Sequence, residues 1–192
     1  MSRFTLKPVG WRPRIDPVQA ETATAAQLAA LEACPPAQRR STYFLTLAHD
    51  PGSLGERGAL FNIVMYAEGG LDRADRELAT AVVSMVNGCV YCTSVHAKRF
   101  VELSGDEPAM QRILDEGWAA EPDVRRHAIA AFTEALTRDP GAVAAEHLAP
   151  LRGVGLDDLE IIDLIHAVAM FANANRLMLT LGDPILPKEL RG

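Results

Sequence analysis

Little of this sequence is aromatic, little of it is cysteine, and nowhere does one sign of charge run on. Aromatic residues make up 6% of the 192. Ala and Leu are frequent instead, a balance that leans toward helix because these two have the best helix propensities. Three cysteines are present, Cys34, Cys89 and Cys92. An odd number this small does not make the disulfide framework of a secreted scaffold. No block of like charges forms a tail. With a net charge of −6 and a pI near 5.4, the surface offers no basic footprint for a phosphate backbone, so nucleic acid is not an expected partner.

Residues 1–10 hold neither a long apolar core nor a small-residue cleavage site, so no secretory leader is expected. The most apolar stretch, Leu164 to Asn175, is too short to span a bilayer and contains His166. Cytoplasmic location and no membrane contact follow as expectations. Strand-like alternation, internal repeats, low-complexity segments and long linkers are missing too. What remains is 48% hydrophobic and 23% charged, the profile of a globular protein. One all-α domain over 1–192 is the simplest organisation. Residues 1–15 read as an extended arm and 183–192 as an irregular tail.

Helical spacing and punctuation give the elements between. Asp16-Pro17 reads as a cap with proline at the first helical position, opening a helix to about Ala33, where Pro35-Pro36 breaks it. Further helices are expected over Ala37–Ala48, Leu54–Glu68 and Arg73–Val86, with turns at Asp50-Pro51-Gly52 and Gly69-Gly70. Asn87-Gly88 is a tight break. The next helix begins at the cysteines and runs to Leu103. Others follow from Glu107 to Trp118, from Pro122 to Thr137 and from Gly141 to Leu151. Asp157 and Glu160 are spaced as a capping box for a last long helix, with Ile161, Leu164, Ile165, Val168 and Phe171 as its apolar stripe.

One segment carries chemistry. Glu77 precedes Cys89 by twelve positions, Cys92 follows Cys89 by three, and His96 follows Cys92 by four. On a helix, Cys89, Cys92 and His96 share a face. Cys-x-x-Cys in a reducing compartment suggests redox or metal chemistry and not stapling. The thiolate is the nucleophile, and an ordinary thiol is mostly protonated at neutral pH. Two features lower that barrier: the unpaired N–H groups of a first helical turn, and an imidazole one turn away that takes the proton. The helix end favours Cys89 and the histidine favours Cys92; spacing does not choose between them. If the Asn87-Gly88 break folds two helices together, the Glu77 carboxylate returns to the His96 end and orients the imidazole. Structural zinc would need a fourth ligand beyond Cys89, Cys92 and His96, and Cys34 is poorly spaced to supply it.

Glu-x11-Cys-x-x-Cys-x3-His resembles the signature of the alkylhydroperoxidase D and carboxymuconolactone decarboxylase superfamily. Tyr43-Phe44-Leu45-Thr46-Leu47-Ala48-His49, Arg76-Glu77-Leu78 and Asn175-Arg176 are similar to its peroxidase-related branch. The resemblance covers roughly residues 40–182 and is strongest over 71–100. It implies an all-helical fold that assembles as a homo-oligomer. It also implies hydroperoxide reduction with an external thiol as reductant, without metal or other cofactor. Cys92 would be the peroxidatic sulfur, Cys89 the resolving one, and His96 with Glu77 the proton relay. The superfamily also holds a decarboxylase that does not depend on a cysteine pair. A non-catalytic, redox-sensing helical oligomer is the reading from outside enzymology.

Other residues read more plainly. Cys34 is an incidental thiol. His166 interrupts an apolar stripe and reads as packed and hydrogen-bonded. His49, His127 and His147 have no evident partners. Tyr91 is packing or a pocket wall. Met65, Met85, Met170 and Met178 are core filler. Asn173, Asn175 and Arg176 cap the last helix or bond between subunits.

Overall fold

In a computed structural model, which describes residues 4–36 and 38–190, the chain is helical almost throughout, as its composition indicates. The helices are α1 (Ala25–Glu32), α2 (Thr42–Leu47), α3 (Pro51–Tyr66), α4 (Arg73–Val86), α5 (Val90–Ser104), α6 (Glu107–Glu116), α7 (Val124–Arg138), α8 (Ala145–Gly153) and α9 (Asp158–Leu181). Most begin where a side chain takes up an orphan N–H of the first turn. Asp50, Asp72, Asp106, Asp123 and Asp157 each accept from a backbone N–H two or three residues on. Asp157 and Glu160 form the expected capping box.

Helix α4 is the axis of the fold. Every residue from Asp75 to Met85 is buried, and α5, α7 and α9 pack around it. Leu78, Val82, Ile129, Leu164 and Val168 meet in this core. Arg76, 2% exposed, ties three elements together from inside. Its guanidinium donates to the carbonyls of Val64, Gly69 and Leu71 and lies 2.8 Å from Asp163 Oδ2 on α9. At the other end of α4, Gly88 adopts φ +76°, which suits glycine, and turns the chain directly into α5. The two helices thus form an antiparallel hairpin.

Three expectations need correction. The first helix starts at Ala25, capped by Thr24 and Gln27, and not at Asp16-Pro17. The tail is not irregular at its start, and the extended arm forms a strand with it. Gly10–Pro13 (β1) and Gly182–Ile185 (β2) pair antiparallel, Trp11 opposite Pro184. Four-residue strands are too short to show alternation, and Trp11 anchors them by donating from Nε1 to the Met178 carbonyl at 3.1 Å. Helix α9, finally, extends well past the apolar stretch of the sequence. It is long and apolar enough to cross a membrane by length and composition, but Ile161, Leu164, Val168 and Phe171 are buried against the bundle. The expected start of the second helix at Ala37 lies outside the described residues, as do 1–3 and 191–192 at the ends of arm and tail.

Candidate active site

The α4–α5 hairpin brings Glu77, Cys89, Cys92 and His96 into one buried cluster. Cys89 is the N-cap of α5 and Cys92 lies in its first turn. His96 follows one turn on, and its ring meets the Glu77 carboxylate arriving from α4. Glu77 is fully buried. Its Oε2 faces His96 Nδ1, its Oε1 faces the Arg73 guanidinium, and Arg99 Nη1 stands 3.8 Å away. Burial pushes the Glu77 carboxyl up, but His96 and Arg73 together outweigh it and hold the pKa below the ordinary value of 4.5. Glu77 is therefore an anion. An anionic carboxylate only accepts, so the Nδ1–H of His96 donates to it.

Burial also decides the state of His96. It lowers the imidazole pKa below 6.5 despite the opposing pull of Glu77. The ring is neutral at physiological pH, its proton on Nδ1 and its Nε2 lone pair free to act as a base. Phe171 of α9 packs edge-on against this ring, centroids 4.4 Å apart, and fixes its plane.

The two sulfurs are reduced and within hydrogen-bond reach of each other. Cys89 collects the donors. The Cys92 thiol bonds to it, the backbone N–H groups of Tyr91 and Cys92 point at it, and the Asn175 amide adds a further bond. Its pKa is lowered as a result. Cys92 goes the other way, first through its bond to Cys89, then through burial and the neighbouring negative charge; Asn175 and Arg57 oppose this only in part. The pair therefore gives up one proton more readily and holds the other more tightly, and the donors favour the negative charge on Cys89. The helix-end argument points the same way.

Asn175, expected as a cap or an inter-subunit contact, belongs to this cluster instead. It is neither a cap nor on the surface. It is fully buried on α9, with Nδ2 3.0 Å from Ser84 Oγ and Oδ1 accepting from Asn87 Nδ2 at 3.0 Å, besides its contacts to both sulfurs. The available signal was its place on the apolar stripe, four positions after Phe171.

Cys92 and His96 line a cavity of about 240 Å³, walled by Tyr43, Phe44, Phe61, Tyr91, Phe171 and Met178, with Arg57 and Arg99 at its rim. Tyr91 is thus a wall, and Met178 serves the site as well as the core. The Arg57 guanidinium lies 5.6–5.9 Å from the ring centres of Tyr43, Phe44 and Phe61. Trp11 of β1 packs edge-on against Tyr43 at 5.5 Å, so the arm forms part of the site. Cys34 is elsewhere. It is buried in a separate cluster with Leu31 and Leu54, donates to the Ala30 carbonyl, and has its pKa raised by burial. It is placed neither to resolve a sulfenic acid nor to complete a metal shell. His166 is not packed, as expected from sequence, but exposed on the outer side of α9, along an apolar groove of about 660 Å³ between α3 and α9.

Comparison with known proteins bears on this arrangement. Residues 57–134 match the model of the carboxymuconolactone decarboxylase family, a span that includes Glu77, both site cysteines and His96. No curated protein matches the sequence. Among solved structures, a peroxidase-related protein with an alkylhydroperoxidase AhpD core from Ralstonia eutropha JMP134 is similar. It is 24% identical, with a TM-score of 0.70 over 83% of this chain and 90% of that one. A peroxidase-related protein from Silicibacter sp. TM1040 gives 22% identity and a TM-score of 0.73 over 94% and 97%. The debrominase Bmp8 gives 16% identity and a TM-score of 0.73 over 94% and 95%. These are likenesses of fold, and that fold is the all-helical AhpD type. In the matching segment the chain is similar to the carboxymuconolactone decarboxylase family, and in its fold to AhpD-type proteins.

Proposed function

We propose that the protein is a thiol-dependent peroxidase that reduces organic hydroperoxides through Cys92 and Cys89. One observation carries the reading: a neutral imidazole, oriented by a buried carboxylate, shares a cavity with one sulfur of a hydrogen-bonded pair. A sensor needs a reactive thiol but not a buried Glu–His relay behind it. A decarboxylase needs no second sulfur.

The converging donors favour the negative charge on Cys89 and the remaining proton on Cys92. Moving that proton along the S–H···S bond, or onto His96 Nε2, leaves the thiolate on Cys92, the sulfur that lines the cavity. The thiolate attacks the peroxide oxygen and becomes a sulfenic acid; Cys89 then condenses with it to a disulfide, releasing water. An external dithiol restores the pair by exchange. Arg57 and Arg99 at the cavity rim favour a substrate or reductant of negative charge. By the same reading the exposed side chains of α3 and α9, among them Leu60, Ile63, Leu159 and Ile162, are the contact face of a homo-oligomer; a monomeric mass by light scattering would remove this part.

Cys92→Ser should abolish turnover of cumene hydroperoxide with a dithiol, while Cys89→Ser should allow one oxidation and then stall. Undiminished turnover in Cys92→Ser would overturn the assignment. Because a debrominase shares the fold, a brominated pyrrole belongs in the same assay. Its turnover in place of any hydroperoxide would redirect the reading to reductive dehalogenation.

A further inference from the structure

The hydroxyl of Tyr43 has no task in the chemistry above. The side chain is buried, 6% exposed. Its ring is fixed by edge-on contacts with Trp11 and Phe44, each with centroids 5.5 Å apart. Its hydroxyl nevertheless has no hydrogen-bond partner among the described residues, although it lines the same cavity as Cys92 and His96. An unpaired buried hydroxyl costs free energy. One that faces a cavity, as this one does, is open to a ligand that completes the pair.

The reaction also lacks a donor at one point. When the O–O bond breaks, the outer oxygen departs as an alkoxide, a strong base that needs a proton as it forms. The one mobile proton of the sulfur pair, on Cys89 or on His96 Nε2 while Cys92 attacks, is consumed later by the hydroxyl that leaves the sulfenic acid as water. His96 holds its proton on Nδ1 against Glu77 and offers the cavity a lone pair. A guanidinium does not give up its proton in a protein. Tyr43 remains a phenol: burial first, eased by Arg57 and reinforced by both sulfurs, pushes its pKa up to about 12. It is thus a neutral O–H donor at the pH where the sulfur is a nucleophile.

We propose that the Tyr43 hydroxyl hydrogen-bonds the outer oxygen of the bound hydroperoxide and protonates it as Cys92 attacks the inner one. The inference rests on the peroxidase reading. The S–O bond forms, the O–O bond breaks, and the alkoxide leaves as an alcohol with the Tyr43 proton. Cys89 displaces the hydroxyl of the Cys92 sulfenic acid; that hydroxyl takes up the pair's proton and departs as water as the S–S bond forms. The Tyr43 phenolate regains its proton from solvent. Two sulfurs are oxidised by two electrons, and one hydroperoxide is reduced to alcohol and water.

Tyr43→Phe tests this, since it keeps the ring and removes only the unpaired oxygen. The variant should be oxidised by cumene hydroperoxide about 10²-fold more slowly, the usual scale for loss of a general acid. Peracetic acid, whose carboxylate leaves without a proton, should oxidise it at the wild-type rate, and iodoacetamide should alkylate it at the wild-type rate. Its Tm should be no lower than that of the wild type. Wild-type oxidation of the variant by cumene hydroperoxide overturns the inference. So does an equal loss with all three reagents, which would mean the sulfur pair itself is disturbed. A wild-type protein that reacts with iodoacetamide but with no hydroperoxide would instead overturn the peroxidase reading, and this inference with it.

Discussion

Replacing Glu77 by Gln removes one charge and almost no volume from the centre of the site. In the native protein the two carboxylate oxygens serve two donors, Arg73 and His96 Nδ1–H. A glutamine has one acceptor oxygen. The Arg73 cation takes it, and the amide NH2 is left facing Nδ1. The imidazole then has to accept at Nδ1 and carry its proton on Nε2, so the base presented to the cavity becomes a donor. Losing a general base costs about 10²- to 10⁴-fold in rate, and the oxidation of Cys92 by cumene hydroperoxide should slow by at least the lower figure. Stability should fall as well. Both hydrogen bonds lose the charge of the carboxylate, which together should cost about 1.5–3 kcal/mol. At about 2–4 °C per kcal/mol for a chain of this length, Tm drops by about 3–12 °C.

The pH dependence separates these effects from general damage. The folded pKa of Glu77 lies below 4.5. Its contribution is therefore present in full above the ordinary carboxylate range and is lost as pH falls through the folded value. The stability gap between wild type and Glu77→Gln should be constant at neutral pH and shrink on acidification below 4.5. Stopped-flow oxidation at 20 °C, below either transition, measures the rate; denaturant unfolding at several pH values measures the gap. A variant that keeps the wild-type rate while losing stability would refute the orienting role of the carboxylate. A gap that persists unchanged into acid would refute its being ionised.

Asn175→Ala removes a donor from both sulfurs and strands Ser84 and Asn87. The apparent pKa of the first thiol, read from thiolate absorbance against pH, should rise, and stability should fall by about 1–3 kcal/mol; an unshifted titration would show that the amide does not hold the thiolate. Arg76→Met strips the buried guanidinium from the carbonyls of Val64, Gly69 and Leu71 and leaves Asp163 only the Leu71 N–H, which should cost about 3–5 kcal/mol in urea unfolding without moving the thiol titration. Gly182→Val places a side chain where the Trp11 ring now lies. Trp11 should leave its seat against Tyr43, seen as a red-shifted fluorescence maximum, and peroxide turnover should fall while α-helical circular dichroism is retained.

What the sequence disclosed follows the range of the forces involved. Capping and apolar periodicity act within a few residues, so Asp72, Asp157 and the stripe from Ile161 to Phe171 placed α4 and α9 closely. The Glu77–His96 contact spans nineteen positions, but one glycine turn between two rigid helices governs it, and so it too was legible. The misplaced first helix shows the limit of a local cue. Asp16-Pro17 has the chemistry of a helix start, yet Thr24 and Gln27 eight positions on form a complete capping box and begin the helix there.

The parts that stayed hidden are those settled by long-range pairing. Nothing in Gly10–Pro13 announces a strand, because its partner lies at the far end of the chain and its anchor is one indole bonded to the Met178 carbonyl. The same holds for Asn175, which reads as a polar blemish on an apolar helix until Ser84, Asn87 and the sulfurs are set around it. Both omissions concern the site and neither concerns the core. A core is specified by many interchangeable apolar contacts, any few of which reveal the pattern. The charge on the sulfur pair is specified by single donors brought from α5, α9 and the helix end, each visible only once its target is in place. The choice between Cys89 and Cys92 was therefore open on spacing alone: the donors converge on Cys89, while the cavity opens onto Cys92, and only the proton they share joins the two.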